Sequence, residues 1–302
     1  LVKINTKHGF PKFDSAVNKK KQMLNVHYLF ARIFRRFLRY IWKMRCVFPS
    51  EPLTTFFLKD GSRFDYPLKT AIGCSLFRGD FESQEIAFLQ QTLKPGNIFF
   101  DIGANGGFYT VIAAKQVGVT GHVYAFEPGQ SELKILRHNI AINHLTNVTI
   151  VECAVGNKSG KAQLAISSDG AMNSLAKTNH PRQCIEHWQS VEIIKLDDFC
   201  QKCGIKKVDF IKIDVEGAEK LVFEGAQNIF LSDQEIKIMF EASDLNASGF
   251  GYSVNEFLEQ IINSGMKLYY FDRTGSLVEI RDYNHQLGNK IYNFVATKKP
   301  LI

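Results

Sequence analysis

Ile98-Phe-Phe-Asp101-Ile-Gly103-Ala-Asn105-Gly106-Gly107-Phe-Tyr109-Thr110 is the stretch on which the reading of this chain turns. Residues 98–101 form a short apolar strand that ends in an acid. The chain then passes through three glycines into a helix predicted over 108–117. Glycines let a backbone approach a bound group closely and accept positive φ. The turn resembles a dinucleotide loop, but its spacing is not G-x-G-x-x-G. Asp101 also puts negative charge at the loop's entrance, where a pyrophosphate would be repelled.

Working outward, strands and helices alternate. Strands are expected at 123–126, 148–155, 208–215, 237–241, 267–271 and 291–297, with extra strands at 161–167 and 191–196 flanking a polar insertion. Helices are expected at 82–93, 131–143, 197–203, 218–230 and 254–264. Repeated βα units predict a Rossmann-like, doubly wound and mostly parallel sheet. Such sheets bind ligands beyond the carboxyl ends of their strands. Glu127 ends the second strand, and an acid there can accept hydrogen bonds from both ribose hydroxyls. That position does not separate a nicotinamide dinucleotide from S-adenosylmethionine, since both carry ribose. Asp101 does: a carboxylate suits the ammonium and sulfonium end of S-adenosylmethionine. The bland alternative is a glycine turn that is only structural.

The 302 residues are 45% hydrophobic and 22% charged, ordinary values for a globular protein. No run of about 18 apolar residues occurs, so no spanning helix is expected. The chain opens on Leu1 rather than methionine, and what precedes it stays open. The net charge of +7 is uneven: residues 1–45 hold twelve Lys and Arg against one acid, Asp14, while the remainder has 25 basic and 29 acidic residues. Within this arm, residues 24–45 read as an amphipathic helix. Arg32, Arg35, Arg36, Arg39 and Lys43 fall on one stripe beside a wide face of Phe, Leu, Ile and Trp. Such a helix can pack on the adjoining domain or a second subunit, contact an anionic membrane surface or, as the least favoured alternative, touch nucleic acid, which arginine stripes alone do not specify. The expected layout is an arm at 1–52 and a domain at 53–302, with its core at about 81–297 and an insertion at about 161–195. The cysteines (46, 74, 153, 184, 200 and 203) are too sparse for a disulfide framework. The lone Cys200-Gln-Lys-Cys203 supplies too few ligands for zinc. A reducing cytoplasm fits this usage, with peripheral membrane contact through 24–45 as an option.

On this loop, on Phe126-Glu127-Pro128, on Ala154-Val155-Gly156 and on Lys212-Ile-Asp214-Val-Glu216-Gly217-Ala-Glu219, the chain resembles the FkbM family of methyltransferases, from about Phe81 to Thr297. The resemblance implies a class I methyltransferase fold with a seven-stranded sheet, S-adenosylmethionine as cofactor, and O-methylation of sugars or natural products. It implies that Asp101, Gly103, Asn105 and Thr110 line the methionine end, that Glu127 holds the ribose, and that the strand end at 152–155 flanks the adenine. Gly107, Ala154 and Asp214 complete the expected cofactor set.

Asp214, Glu216 and Glu219 follow the fourth parallel strand, and Glu241 ends the next. Acids at a helix start are favourable with the helix dipole, so capping alone would explain Glu216 and Glu219. Asp214 and Glu241 are expected to face the cleft, and with Glu216 they are the candidate catalytic residues. They could hold an acceptor hydroxyl, take its proton, or bind Mg²⁺ that does so. A full octahedral ligand set is not evident, so no metal is expected. The polar insertion at 168–190 is a candidate acceptor lid, through Asn173, Ser174, His180 and Trp188. The reading is therefore an O-methyltransferase acting on a glycan, glycolipid or natural product. Alternatives are methylation of nucleic acid or protein, a non-catalytic membrane-associated scaffold and, last, a NAD-dependent oxidoreductase. No Pro-Pro-aromatic run for adenine amino groups and no Pro-Cys nucleophile occurs, and the acidic domain shows no phosphate track, so no nucleic-acid partner is expected. The oligomeric state stays open.

Overall fold

The computed structural model describes residues 53–301 apart from 80, 233, 273 and 282–291. The basic helix expected at 24–45, with its membrane-facing stripe, lies outside the described residues. In chain order the elements begin with β1 (Leu53–Phe57), β2 (Arg63–Pro67), α1 (Ala71–Arg78), α2 (Ser83–Thr92), β3 (Ile98–Ile102), α3 (Phe108–Val117), β4 (His122–Phe126), α4 (Gln130–Ile142), β5 (Val148–Val151), β6 (Ala154–Val155), β7 (Gly160–Ser167) and β8 (Ile185–Ile194). They continue with α5 (Leu196–Cys203), β9 (Phe210–Ile213), α6 (Glu219–Glu224), α7 (Gln227–Ser232), β10 (Lys237–Ala242), α8 (Asp244–Ala247), α9 (Val254–Asn263), β11 (Lys267–Phe271), β12 (Leu277–Ile280) and β13 (Tyr292–Thr297). No described helix is long and apolar enough to cross a membrane.

The main sheet has the order β12-β11-β13-β10-β9-β3-β4-β5. Strands β5, β4, β3, β9 and β10 are mutually parallel, while β13, β11 and β12 pair antiparallel. The doubly wound α/β fold is thus present. The seven strands expected are joined by an eighth at the edge, β12, which forms a hairpin with β11. Successive residues of the inner strands point to opposite faces. Phe99, Phe210, Met239 and Val295 fill one side, and Phe100, Ile211, Phe240 and Phe294 fill the other. Both faces are covered, which is why these strands read as continuous apolar runs. From β3 the chain winds outward to β4 and β5, whereas β9 and β10 lie on β3's other side. The crevice at this switch point opens above the carboxyl ends of β3 and β9.

Four local readings are corrected by packing. The strand expected over 148–155 breaks after Val151; β6 leaves the main sheet and pairs with β8 in a separate three-stranded sheet, β6-β8-β7. The strand expected from 191 starts earlier: β8 begins at Ile185, inside the polar insertion, and Trp188 pairs with Ala165 of β7. Helix 218–230 is two helices, broken at Gly225. A Cβ at Gly225 would lie 2.0 Å from the Gly156 carbonyl oxygen, so only glycine fits where the segment after β6 passes the break. Helix α1 was not expected from the sequence and carries Gly73 in its first turn; Thr70 caps it by accepting from the Gly73 amide.

Candidate active site

The crevice is a cleft of about 320 Å³. One half is built from the glycine turn. Gly103, directly after β3, has φ +81°, and its α-carbon faces the Asp214 carbonyl so closely that a Cβ would sit 1.8 Å from that oxygen. Asn105 also adopts positive φ, 49°, a conformation that short polar side chains tolerate. Its Oδ1 accepts from the Gly106 amide at 2.7 Å, and its Nδ2 donates to the Gly170 carbonyl at 3.3 Å. Glu127 leaves the end of β4 and is buried. One of its oxygens accepts from the Asn105 amide and the other from the Gly129 amide, both at 2.7 Å. Burial pushes the Glu127 carboxyl up to about 8, against the pull of these two amides; Glu132 and Asp101 add to the push. Cys153, Ala154 and Val155, where β5 gives way to β6, form the adjoining wall.

The cofactor residues expected from sequence separate into two sets. Gly103, Asn105, Glu127, Ala154 and Asp214 line the cleft, whereas Asp101, Gly107 and Thr110 are not among its walls. Asp101 is 1% exposed and accepts from the Thr110 hydroxyl at 2.6 Å. Burial lifts its carboxyl to about 6, with Lys212 and Thr110 opposing. The acid at the loop entrance therefore supports the turn from behind. Gly107 starts α3 against Leu136.

The other half of the cleft is acidic. Asp214, Glu216 and Glu241 line it as the sequence led one to expect, and Glu82 joins them. Glu82 lies just ahead of α2 with φ 35° and accepts from the Tyr109 hydroxyl. Glu216 has φ 52°; its Oε2 accepts from Asn246 at 2.6 Å, and its carbonyl accepts from the Ser174 hydroxyl at 2.8 Å. Glu219 serves its own turn, accepting from the Val215 and Gly217 amides at 3.2 Å each. Burial, reinforced by neighbouring acids, drives the carboxyls of Glu216 and Glu241 well above their ordinary range. Burial also raises Glu82. Lys212, on the same face of β9 as Asp214, places its Nζ 2.8 Å from Asp214 Oδ2 and 4.6 Å from the centre of the Tyr109 ring. Burial works against its charge, but Asp214, Glu82 and Asp101 outweigh it and raise its pKa. Glu82, Asp214 and Glu241 each have an oxygen within 4.8 Å of the others', the one such trio among the described residues.

Of the lid candidates, Asn173 and Ser174 line the cleft and His180 and Trp188 do not. Asn173 Oδ1 accepts from the Ser167 amide at 2.8 Å, while its Nδ2 is buried without a hydrogen-bond partner. His180 is buried in its turn, where Nδ1 accepts from the Arg182 amide at 3.2 Å. Trp188 is 49% exposed on β8. Arg182, which carried no assignment in the sequence, stands at the cleft wall. Lys212, quoted only within the family motif two residues before Asp214, also carried no assigned role, and nothing local announced Glu82 or the Tyr109 contact.

The family model for the methyltransferase FkbM domain matches residues 101–290. The chain is 28% identical over 163 residues to the 31-O-demethyl-FK506 methyltransferase FkbM of Streptomyces tacrolimicus, covering 45% of this chain and 62% of that protein. It is 26% identical over 164 residues to the 2-O-methyltransferase NoeI of Sinorhizobium fredii, covering 50% and 66%. The chain thus spans a little under two thirds of the length of these curated relatives. A solved structure, the O-methyltransferase from Bacillus cereus in complex with SAH, aligns with a TM-score of 0.44 at 17% identity, over 72% of this chain and 83% of that one. The fold assignment stands on the sheet order itself.

Proposed function

The chain belongs to the FkbM methyltransferase family, and from that premise we propose that it is an S-adenosylmethionine-dependent methyltransferase acting on a hydroxyl of a glycan, glycolipid or natural product. One observation carries this reading. A single cleft joins the glycine turn and Glu127, which suit a ribonucleoside, to a wall of four carboxylates, which suit a polyhydroxylated acceptor. The cleft fits the cofactor chemically. Glu127 would hold the ribose hydroxyls, Gly103 and Asn105 would pass beside the amino-acid end, and residues 153–155 would flank the base. The unpartnered Asn173 amide supplies a further donor; an unpaired buried donor costs about 1–3 kcal/mol, which a ligand acceptor relieves. When bound, S-adenosylmethionine supplies an activated methyl group on a sulfonium.

The chain's own residues then hold, orient and deprotonate the acceptor. Asp214 has one oxygen on Lys212, and the carboxyl is 26% exposed in the cleft, placed to take the hydroxyl proton. Glu216 and Glu241 line the same cleft, their pKa values raised by burial and neighbouring acids, and would hold further hydroxyls by hydrogen bonding. Holding the reacting atoms in line accounts for about 7–11 kcal/mol of barrier lowering, and a positioned base for roughly 10²–10⁴-fold. The test is transfer of labelled methyl from S-adenosylmethionine to a panel of hydroxylated acceptors. Label in any hydroxylated acceptor supports the reading; no cofactor binding by calorimetry ends it.

Glu127 adds a pH signature. Ribose hydroxyls donate to the ionised carboxylate, so binding favours that form. Below the free protein's value of about 8 the group is mostly protonated, and binding must release a proton. Affinity should therefore rise with pH, by up to about tenfold per unit, and level off above 8. Methylthioadenosine keeps the ribose and lacks the amino-acid end, so calorimetry with it from pH 6 to 9 isolates this group. Glu127→Gln should bind it more weakly and flatten the profile.

A further inference from the structure

We propose that Lys212 is an internal cation: its ammonium takes the place of a divalent metal among the acceptor-side carboxylates and positions Asp214 toward the acceptor hydroxyl. The catalytic half of this inference rests on the methyltransferase reading; the electrostatic half rests on the geometry alone. Three carboxylates from separate parts of the fold, Glu82 ahead of α2, Asp214 after β9 and Glu241 on β10, converge to within 4.8 Å. Like charges this close need a cation, or protonation, between them. Lys212 is 4% exposed, so its ammonium is committed to these neighbours and not to solvent. It holds Asp214 directly and lies over the ring of Tyr109, whose hydroxyl donates to Glu82. Asp101 stands opposite it in the register of β3 and β9. Its charge also acts on Glu241. Groups from β3, α3, β9, β10 and the start of α2 therefore share one fixed positive charge. A divalent ion among the same oxygens would meet that charge at close range and be repelled. Lys212 is not part of the cleft wall, so it acts through Asp214 as a positioning residue.

The experiment compares wild type, Lys212→Met and Lys212→Arg. Mn²⁺ binding is read by electron paramagnetic resonance, SAH affinity by calorimetry, and kcat and KM are measured in the presence of a chelator. Wild type should bind no Mn²⁺ at millimolar concentration and should keep full activity in chelator. Lys212→Met should gain Mn²⁺ binding and keep its SAH affinity. Its kcat should fall by about 10²-fold or more, with partial recovery on adding Mn²⁺. Lys212→Arg, which keeps the charge, should lose less activity and bind no Mn²⁺. Mn²⁺ bound by wild type, or activity lost in chelator, would overturn the proposal, and these two measurements need no variant to fold. Unchanged kcat in Lys212→Met with no Mn²⁺ gained would overturn it equally. Failure of wild type to bind SAH would strike the methyltransferase reading, while the Mn²⁺ contrast would still decide the electrostatic claim.

Discussion

Gly103→Ala is expected to lower SAH affinity by at least about 100-fold and to destabilise the domain by about 2–5 kcal/mol. Two costs combine. A residue with a side chain held at φ +81° is strained by about 1–2 kcal/mol. The new methyl would also lie 1.8 Å from the Asp214 carbonyl oxygen. That oxygen is backbone and cannot rotate away, and the Asp214 amide is itself tied to the Ile102 carbonyl at 2.9 Å. Relief requires the ends of β3 and β9 to separate, which moves the cofactor turn and Asp214 together. Overpacking of this kind adds about 1–3 kcal/mol. At roughly 2–4 °C per kcal/mol for a domain of this size, Tm should fall by about 4–20 °C. Gly61→Ala is the control. Its φ is +76°, but nothing lies within 4 Å of the added methyl, so it incurs the strain without the clash. Equal losses in the two variants would show that backbone strain alone was at work. Wild-type SAH affinity in Gly103→Ala would show that the turn does not meet the cofactor.

Asp214→Asn should reduce kcat by roughly 10²–10⁴-fold while SAH affinity changes only a few-fold. The amide keeps the shape and cannot take a proton. The substitution also leaves Lys212 without its direct partner, and breaking a buried pair from one side costs about 3–5 kcal/mol. The cost here should fall at or below the low end, because Glu82 and Asp101 still act on the ammonium and Asp214 is 26% exposed. Thermal melts with and without SAH separate this loss from the catalytic one, since a saturating ligand restores the folded population but not a missing base. An Asp214→Asn enzyme with wild-type kcat would move the base to another of the cleft's acids.

Glycines, Glu127 and Asp214 were legible because each follows a strand, and strand ends in a doubly wound sheet surround the crevice. Lys212 stood in the sequence only as the first residue of a family motif, and its place beside Asp214 came from the structure. Other features depended on neighbours far along the chain. Asp101 looked like a cleft residue, but its strand lies beside β9, and Lys212 and Thr110 enclose it. Trp188 looked like part of a lid, but β8 extends back to Ile185 and carries it onto an exposed position. Glu82 precedes the glycine turn by 21 residues, and no local pattern marks it as part of the site.

What the chain's own order of residues determined was the alternation of apolar strands with helices, and with it the parallel sheet and the ligand positions at its strand ends. These follow from hydrophobic periodicity and glycine conformations, which act over a few residues. Tertiary structure alone decided which acids lie close to Lys212, which have their pKa values raised by burial and which face the cleft. Charge and burial are set by distances across the sheet, between residues as far apart as Glu82, Asp101, Lys212 and Glu241.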